Sequence, residues 1–138
     1  MRKAPLAIRH VLAVTTLLAA GGCGLTGPAH EPPMPDAAAV VDLGFMSFNP
    51  ATVNIRAGQT VEWRNTSIIG HTVTDNPPAA ANAADSALPP GAIPFSSGDI
   101  PAGKIFAYKF TVPGTYRYFC THHEGDGMVG TVIVAPAS

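Results

Sequence analysis

Residues 113–134 read Pro113-Gly114-Thr115-Tyr116-Arg117-Tyr118-Phe119-Cys120-Thr121-His122-His123-Glu124-Gly125-Asp126-Gly127-Met128-Val129-Gly130-Thr131-Val132-Ile133-Val134. Before the polar middle, Tyr116, Tyr118 and Cys120 alternate; after it, Val132 and Val134 alternate. Successive side chains of a strand point to opposite faces, so this pattern predicts two half-buried strands joined by a loop. Tyr116, Tyr118 and Cys120 are expected on the core side. The loop carries a thiol, two imidazoles and a thioether within nine residues.

The same period recurs upstream. Val41, Leu43 and Phe45 alternate, as do Val53 with Ile55, Val61 with Trp63, and Phe106 with Tyr108 and Phe110. Turn signals separate these runs: Asn49-Pro50, Ala57-Gly58, Pro101-Ala102-Gly103 and Pro113-Gly114. With 14 Gly and 14 Pro and no helical stripe, a helical bundle is disfavoured. Short antiparallel strands at this spacing predict an all-β sandwich or small barrel. A length of 138 residues suits one domain. The Ala- and Pro-rich stretch from Asp75 to Pro94 breaks the rhythm. It is expected to be a long connection with room for one helical turn, and mobile because it holds no His, Cys or aromatic residue.

Charge is sparse: 8 Lys and Arg against 9 Asp and Glu, 12% of the chain in all. No basic patch is dense enough for a nucleic-acid footprint. Arg2, Lys3 and Arg9 precede the apolar run Val11–Ala20, which is too short to span a bilayer. Residues 1–22 therefore read as a signal peptide. Leu17-Leu18-Ala19-Ala20-Gly21-Gly22-Cys23 resembles a bacterial lipobox, which implies cleavage before Cys23 and lipid on that residue. Residues 23–39, rich in Gly, Pro and Ala, read as a tether in which His30 is solvated, and residues 40–138 as the folded domain. The expected location is extracytoplasmic, in the periplasm or on the cell surface, lipid-anchored to the membrane through Cys23.

If Cys23 carries lipid, Cys120 has no disulfide partner, and a metal is one occupant that would protect it. Cys120, Met128 and one or both of His122 and His123 form a soft donor set suited to copper. A structural zinc site would need more thiolates, and a catalytic zinc site would not use Met. A further donor has to come from elsewhere, and His71, just after the Trp63 strand, is placed to supply it.

At this point the sequence resembles the plastocyanin-like cupredoxins, the small type 1 blue copper proteins. The spacing of Cys120, His123 and Met128 is similar to their ligand loop. Pro113 to Phe119 resembles the strand leading into it, and Val129-Gly130-Thr131-Val132 the strand leaving it. Phe48, Pro50, Val53, Ile55, Gly58, Val61, Trp63 and Asn65 resemble the family's first strands, which end in a lone upstream His. The resemblance covers residues 40–135 and implies a single Greek-key β-sandwich of the cupredoxin type. It implies one copper ion held by His71, Cys120, His123 and Met128, with His122 left as a solvent-facing imidazole.

The implied function is electron transfer in the cell envelope, cycling Cu(II) and Cu(I), with redox partner proteins such as a cytochrome, oxidase or reductase and no enzymatic activity. The expected state is a monomer. Electrons would leave through the exposed edge of His123, and in the reduced state protons would compete with copper for that imidazole. Thr72 and Thr121 are expected to tie the two ligand segments together. Phe119 either faces a partner or covers the outer sheet. The rival reading is an envelope module that buffers or delivers copper with the same donors. A multicopper oxidase or nitrite reductase would need further His clusters, which the chain lacks.

Overall fold

The computed structural model describes residues 31–32 and 34–138. The signal peptide, Cys23 and His30 lie outside the described residues. Among the described residues seven strands form: β1 (Ala39–Leu43), β2 (Phe48–Asn49), β3 (Thr52–Arg56), β4 (Thr60–Asn65), β5 (Ile105–Lys109), β6 (Gly114–Phe119) and β7 (Val129–Ala135). They build two sheets, ordered β2-β1-β4-β5 and β3-β7-β6. Among the described residues no helix is long and apolar enough to cross a membrane.

The inward face of each strand follows the alternation. Val41, Leu43, Val53, Ile55, Val61, Trp63, Tyr116, Tyr118, Val132 and Val134 all join one buried cluster between the sheets. Trp63 lies at its centre, its ring 5.4–6.2 Å from those of Tyr118, Phe106, Phe95 and Phe110. Large interlocking rings of this kind have few alternative packings, so the cluster is a stiff frame. Gly130 of β7 is part of the fit: a Cβ there would lie 2.3 Å from the Tyr118 ring.

Three local expectations fail. Not every pairing is antiparallel, since β1 runs parallel to β4 and β3 parallel to β7. Each parallel pair is joined by chain that leaves the sheet and returns, and strand periodicity contains no information about that route. The alternation through Phe45 also stops early. The Gly44 amide donates to the Ser47 carbonyl at 2.8 Å, closing a turn that leaves Phe45 62% exposed.

The long connection after Asp75 contains two 3-10 turns, Pro77–Ala79 and Ala83–Asp85, rather than one helical turn. It is also stitched to β6. Ala87 and Arg117 exchange backbone hydrogen bonds at 3.1 and 2.8 Å, and the Arg117 guanidinium lies 3.3 Å from the Asp85 carboxylate. A mobile connection was expected from its lack of chemistry-bearing side chains, but backbone pairing holds it in place and needs none of them.

Ahead of β1 the chain already lies on the first sheet. The Glu31 amide donates to the Gly103 carbonyl at 3.0 Å, the Met34 amide to the Glu62 carboxylate, and the Ala38 amide to the Thr60 carbonyl at 2.9 Å. This strap covers the face of β4 opposite Trp63. Glu62 is fully buried there, with Arg64 Nε 3.6 Å from its other carboxylate oxygen.

Candidate metal centre

The donors sit where β6 ends and the chain turns back to β7. Cys120 follows the last residue of β6, and its amide donates to the Met128 carbonyl at 3.1 Å, closing the loop at its base. Within the loop the His123 amide donates to the Cys120 carbonyl and the Met128 amide to the His123 carbonyl, both at 3.1 Å. Gly127 completes the turn at φ +81°, a conformation that favours glycine. These bonds fix the spacing of Cys120, His123 and Met128 by backbone alone.

His71 arrives from the other sheet's side. The segment it opens is not a full strand. Instead His71 pairs with Ile100 through two backbone bonds of 3.2 and 2.7 Å, and Thr74 pairs with Phe119 at the end of β6. That bridge brings residue 71 beside residue 120. Cys120 Sγ lies 3.8 Å from His71 Nδ1 and 3.5 Å from His123 Nδ1. The ligand atoms of His71, Cys120 and His123 all fall within 4.8 Å of one another. His71 and Cys120 are fully buried, and His123 is half-buried. Met128 is fully buried as well, and its backbone closes the same loop.

This arrangement fits a copper ion on the chemistry of its donors. A sulfur and two imidazole nitrogens converge on one point, a soft set that suits copper. The Thr72 amide donates to Cys120 Sγ at 3.3 Å, which orients the sulfur. Burial, together with the nearby His123, holds the His71 imidazole below its ordinary pKa. Both effects favour the neutral ring, the form with a lone pair free for a metal.

The surrounding hydrogen bonds aim the ligands. The Thr72 and Thr121 hydroxyls lie 3.0 Å apart, and the Thr121 amide donates to Thr72 Oγ1 at 2.8 Å, so the two ligand segments are tied as the sequence suggested. Two further roles, those of Ser67 and Asn65, escaped sequence reasoning. Ser67 Oγ lies 2.9 Å from His71 Nε2 and 2.7 Å from the Asn65 side-chain oxygen. Asn65 Nδ2 in turn donates to the Ile69 and Ile100 carbonyls at 2.7 and 2.8 Å. If Nδ1 held a metal, Nε2 would carry the proton and donate to Ser67 Oγ, whose hydroxyl donates to Asn65 Oδ1. The only sequence signal was a Ser four positions before the ligand His, in a loop with no periodicity.

His122 is exposed, as expected, and its Nε2 lies 2.7 Å from Asp99 Oδ1. Glu124 is a clamp: its two carboxylate oxygens accept from the Ala81 and Asn82 amides, each at 2.9 Å, binding the long connection to the ligand loop. Phe119 is fully buried, which removes it as a surface contact for a partner. An open depression runs past the exposed edge of His123, lined by Ile68, Gly70, Asp99, Pro101, Ala102 and His122.

A thiol and two imidazoles gathered at one end of a two-sheet β-sandwich define the cupredoxin class. Residues 35–135 match the family of copper binding proteins, plastocyanin/azurin family. The plastocyanin of Scenedesmus fuscus is 36% identical over 96 residues, covering 67% of this chain and 91% of that protein. The chloroplastic plastocyanin of Tetradesmus obliquus is 38% identical over 96 residues, 67% of this chain and 61% of that protein. In structure, amicyanin from Paracoccus versutus superposes with a TM-score of 0.57 at 30% identity, covering 78% of this chain and 91% of that one. The chain belongs to the copper-binding plastocyanin/azurin family. It is a type 1 copper protein with one copper ion, and it carries electrons rather than catalysing a reaction.

Proposed function

We propose that His71, Cys120 and His123 hold the copper ion, with Met128 as a weak fourth ligand, and that the protein shuttles electrons between redox proteins of the cell envelope. The observation that carries this reading is the unequal burial of the three converged donors. Cys120 and His71 are sealed inside, whereas His123 reaches the surface at the floor of the depression. When bound, copper supplies a one-electron couple. The protein supplies a rigid, dry donor set that need not rearrange between the two oxidation states. The Trp63 cluster provides that rigidity on the inner side, and the Thr72–Thr121 and Ser67–Asn65 hydrogen bonds provide it at the ligands. His123 is the donor a partner can approach, so contact with a cytochrome, oxidase or reductase is made there.

The proposed setting is extracytoplasmic. The basic start, the apolar run and the cysteine at position 23 support secretion followed by lipid anchoring of a monomeric domain through the residues ahead of Glu31, a shorter tether than the 23–39 expected, because Glu31, Met34 and Ala38 are bonded to the first sheet and Ala39 opens β1. An absorption and EPR spectrum of the copper-loaded protein tests the site. Intense thiolate-to-copper absorption with the narrow hyperfine splitting of a type 1 centre is expected. Copper bound without that absorption overturns the ligand set. Fast electron self-exchange is expected as well, and slow self-exchange with ready transfer of copper to an apo-acceptor overturns the carrier role.

A further inference from the structure

We infer that the anchor hangs the domain with its copper end toward the bilayer, and that its electron partner is a redox centre in an integral protein of the same membrane. This rests on the lipid-anchored electron-carrier reading above. The argument begins at the point where the chain meets the domain. Glu31 is held by two bonds: its amide donates to the Gly103 carbonyl, and its carboxylate accepts from the Ile105 amide at 3.4 Å. Gly103 in turn donates to the carbonyl of Asn65, the last residue of β4 before the His71 loop. Its neighbours Pro101 and Ala102 line the depression beside His123. Glu31 is therefore fastened at the copper end.

From there the strap runs away from copper. Met34 is bonded to Glu62, and Ala38 to Thr60 at the opposite end of β4, before β1 returns toward the site. The strap is thus not free slack added to the tether. Eight Cα steps separate Cys23 from Glu31, which reach at most about 29 Å when fully extended. The far end of the sandwich, where Thr60 pairs with Lys109, lies a further strand length of about 20 Å away. A short tether attached at one end of a stiff body brings that end closest to the surface carrying the anchor. A gap of up to about 29 Å also leaves room for the extramembrane part of a partner between the depression and the lipid.

The rim of the depression suits such a partner. Ile68 is 86% exposed, beside Pro101 and Ala102, and the one carboxylate among the lining residues, Asp99, is bonded to the His122 ring. A surface with so little charge steers a diffusing partner weakly. Confinement to one membrane raises the effective concentration instead.

The test uses the full lipidated, copper-loaded protein on vesicles that carry a headgroup fluorophore as energy acceptor. A donor dye is placed at exposed Ile68→Cys or at exposed Lys109→Cys. Transfer from position 68 is expected to exceed transfer from position 109 by about twofold or more, given a strand length between them. A Gly/Ser insert of about twenty residues after Pro28 is expected to equalise the two. Equal transfer with the native tether, or greater transfer from position 109, overturns the orientation. A difference that survives the insert shows that the tether does not set it, and overturns the inference too. Protein that stays in the supernatant overturns the anchor and the orientation together. The visible spectrum of the same samples reports the copper site separately, so failure of the orientation is distinguishable from failure of the electron-carrier reading.

Discussion

Asp75 offers the sharpest quantitative test of the packing around the site. It is fully buried four residues past His71, and its Oδ1 accepts from the Phe95 amide at 2.8 Å while Oδ2 has no partner. Burial pushes its carboxyl up from 3.8 to about 6, with the Phe95 hydrogen bond opposing. Below the unfolded value the group is protonated in both states and contributes nothing to pH dependence. Between the two values the folded state holds a proton that the unfolded chain has released, so stability falls as pH rises. Above about 6 the folded state buries a charge, and the full penalty is present. A shift of roughly two units at 1.36 kcal/mol each makes that penalty about 3 kcal/mol. Asp75→Asn keeps the acceptor for Phe95 and removes the charge. Its own unpaired amide N–H groups add a cost, but one that does not titrate. Urea unfolding of both proteins from pH 4 to pH 8 is the assay. Copper release is common to both and cancels in the difference. The expected result is that the stability of the variant, relative to the native chain, rises by about 3 kcal/mol across that range. A difference that is flat with pH would refute the assignment of a protonated, buried Asp75.

Other outcomes follow from the same contacts. Cys120→Ser is expected to abolish the intense visible absorption while the domain stays folded, and a variant that remains deep blue would exclude Cys120 as the sulfur ligand. Met128→Ala should retain copper with a changed reduction potential, measured by redox titration, since a weak axial ligand tunes rather than holds the metal. Ser67→Ala removes the acceptor for His71 Nε2 and should lower copper affinity by about tenfold in a chelator competition, with Ser67→Thr restoring most of it. Gly130→Ala places a methyl group against the Tyr118 ring and should destabilise the fold by about 1–3 kcal/mol or more in urea, because that ring is locked among Trp63 and Phe48.

The strands were legible because their inner faces repeat every second residue, and burial enforces that pattern strand by strand. The exception at Phe45 shows its limit. The Gly44–Ser47 turn interrupts the alternation by a backbone bond, and apolarity alone does not reveal where pairing stops. Cys120, His123 and Met128 could be proposed together because one loop holds all three at fixed spacing. His71 was proposed by its chemistry, as the remaining imidazole near a strand, and only the fold places its ring beside Cys120 and His123.

The roles of Ser67, Asn65 and Glu124 were not found. Each works through a partner chosen by three-dimensional proximity: a ring nitrogen four residues on, a carbonyl 35 positions away, amides 42 and 43 positions away. The same holds for the parallel pairing of β1 with β4 and for the strap that fastens Glu31 at the copper end. Residue types and their period, which depend on neighbours within a few positions, determined that this chain is a β-sandwich with a soft metal-binding loop. Which long-range hydrogen bonds form, which imidazole is sealed and which is exposed, and which end of the molecule the tether leaves from depend on how the two sheets close. Only the folded chain settles these, because a hydrogen bond or a buried charge is decided by distance in space, which residue order does not encode locally.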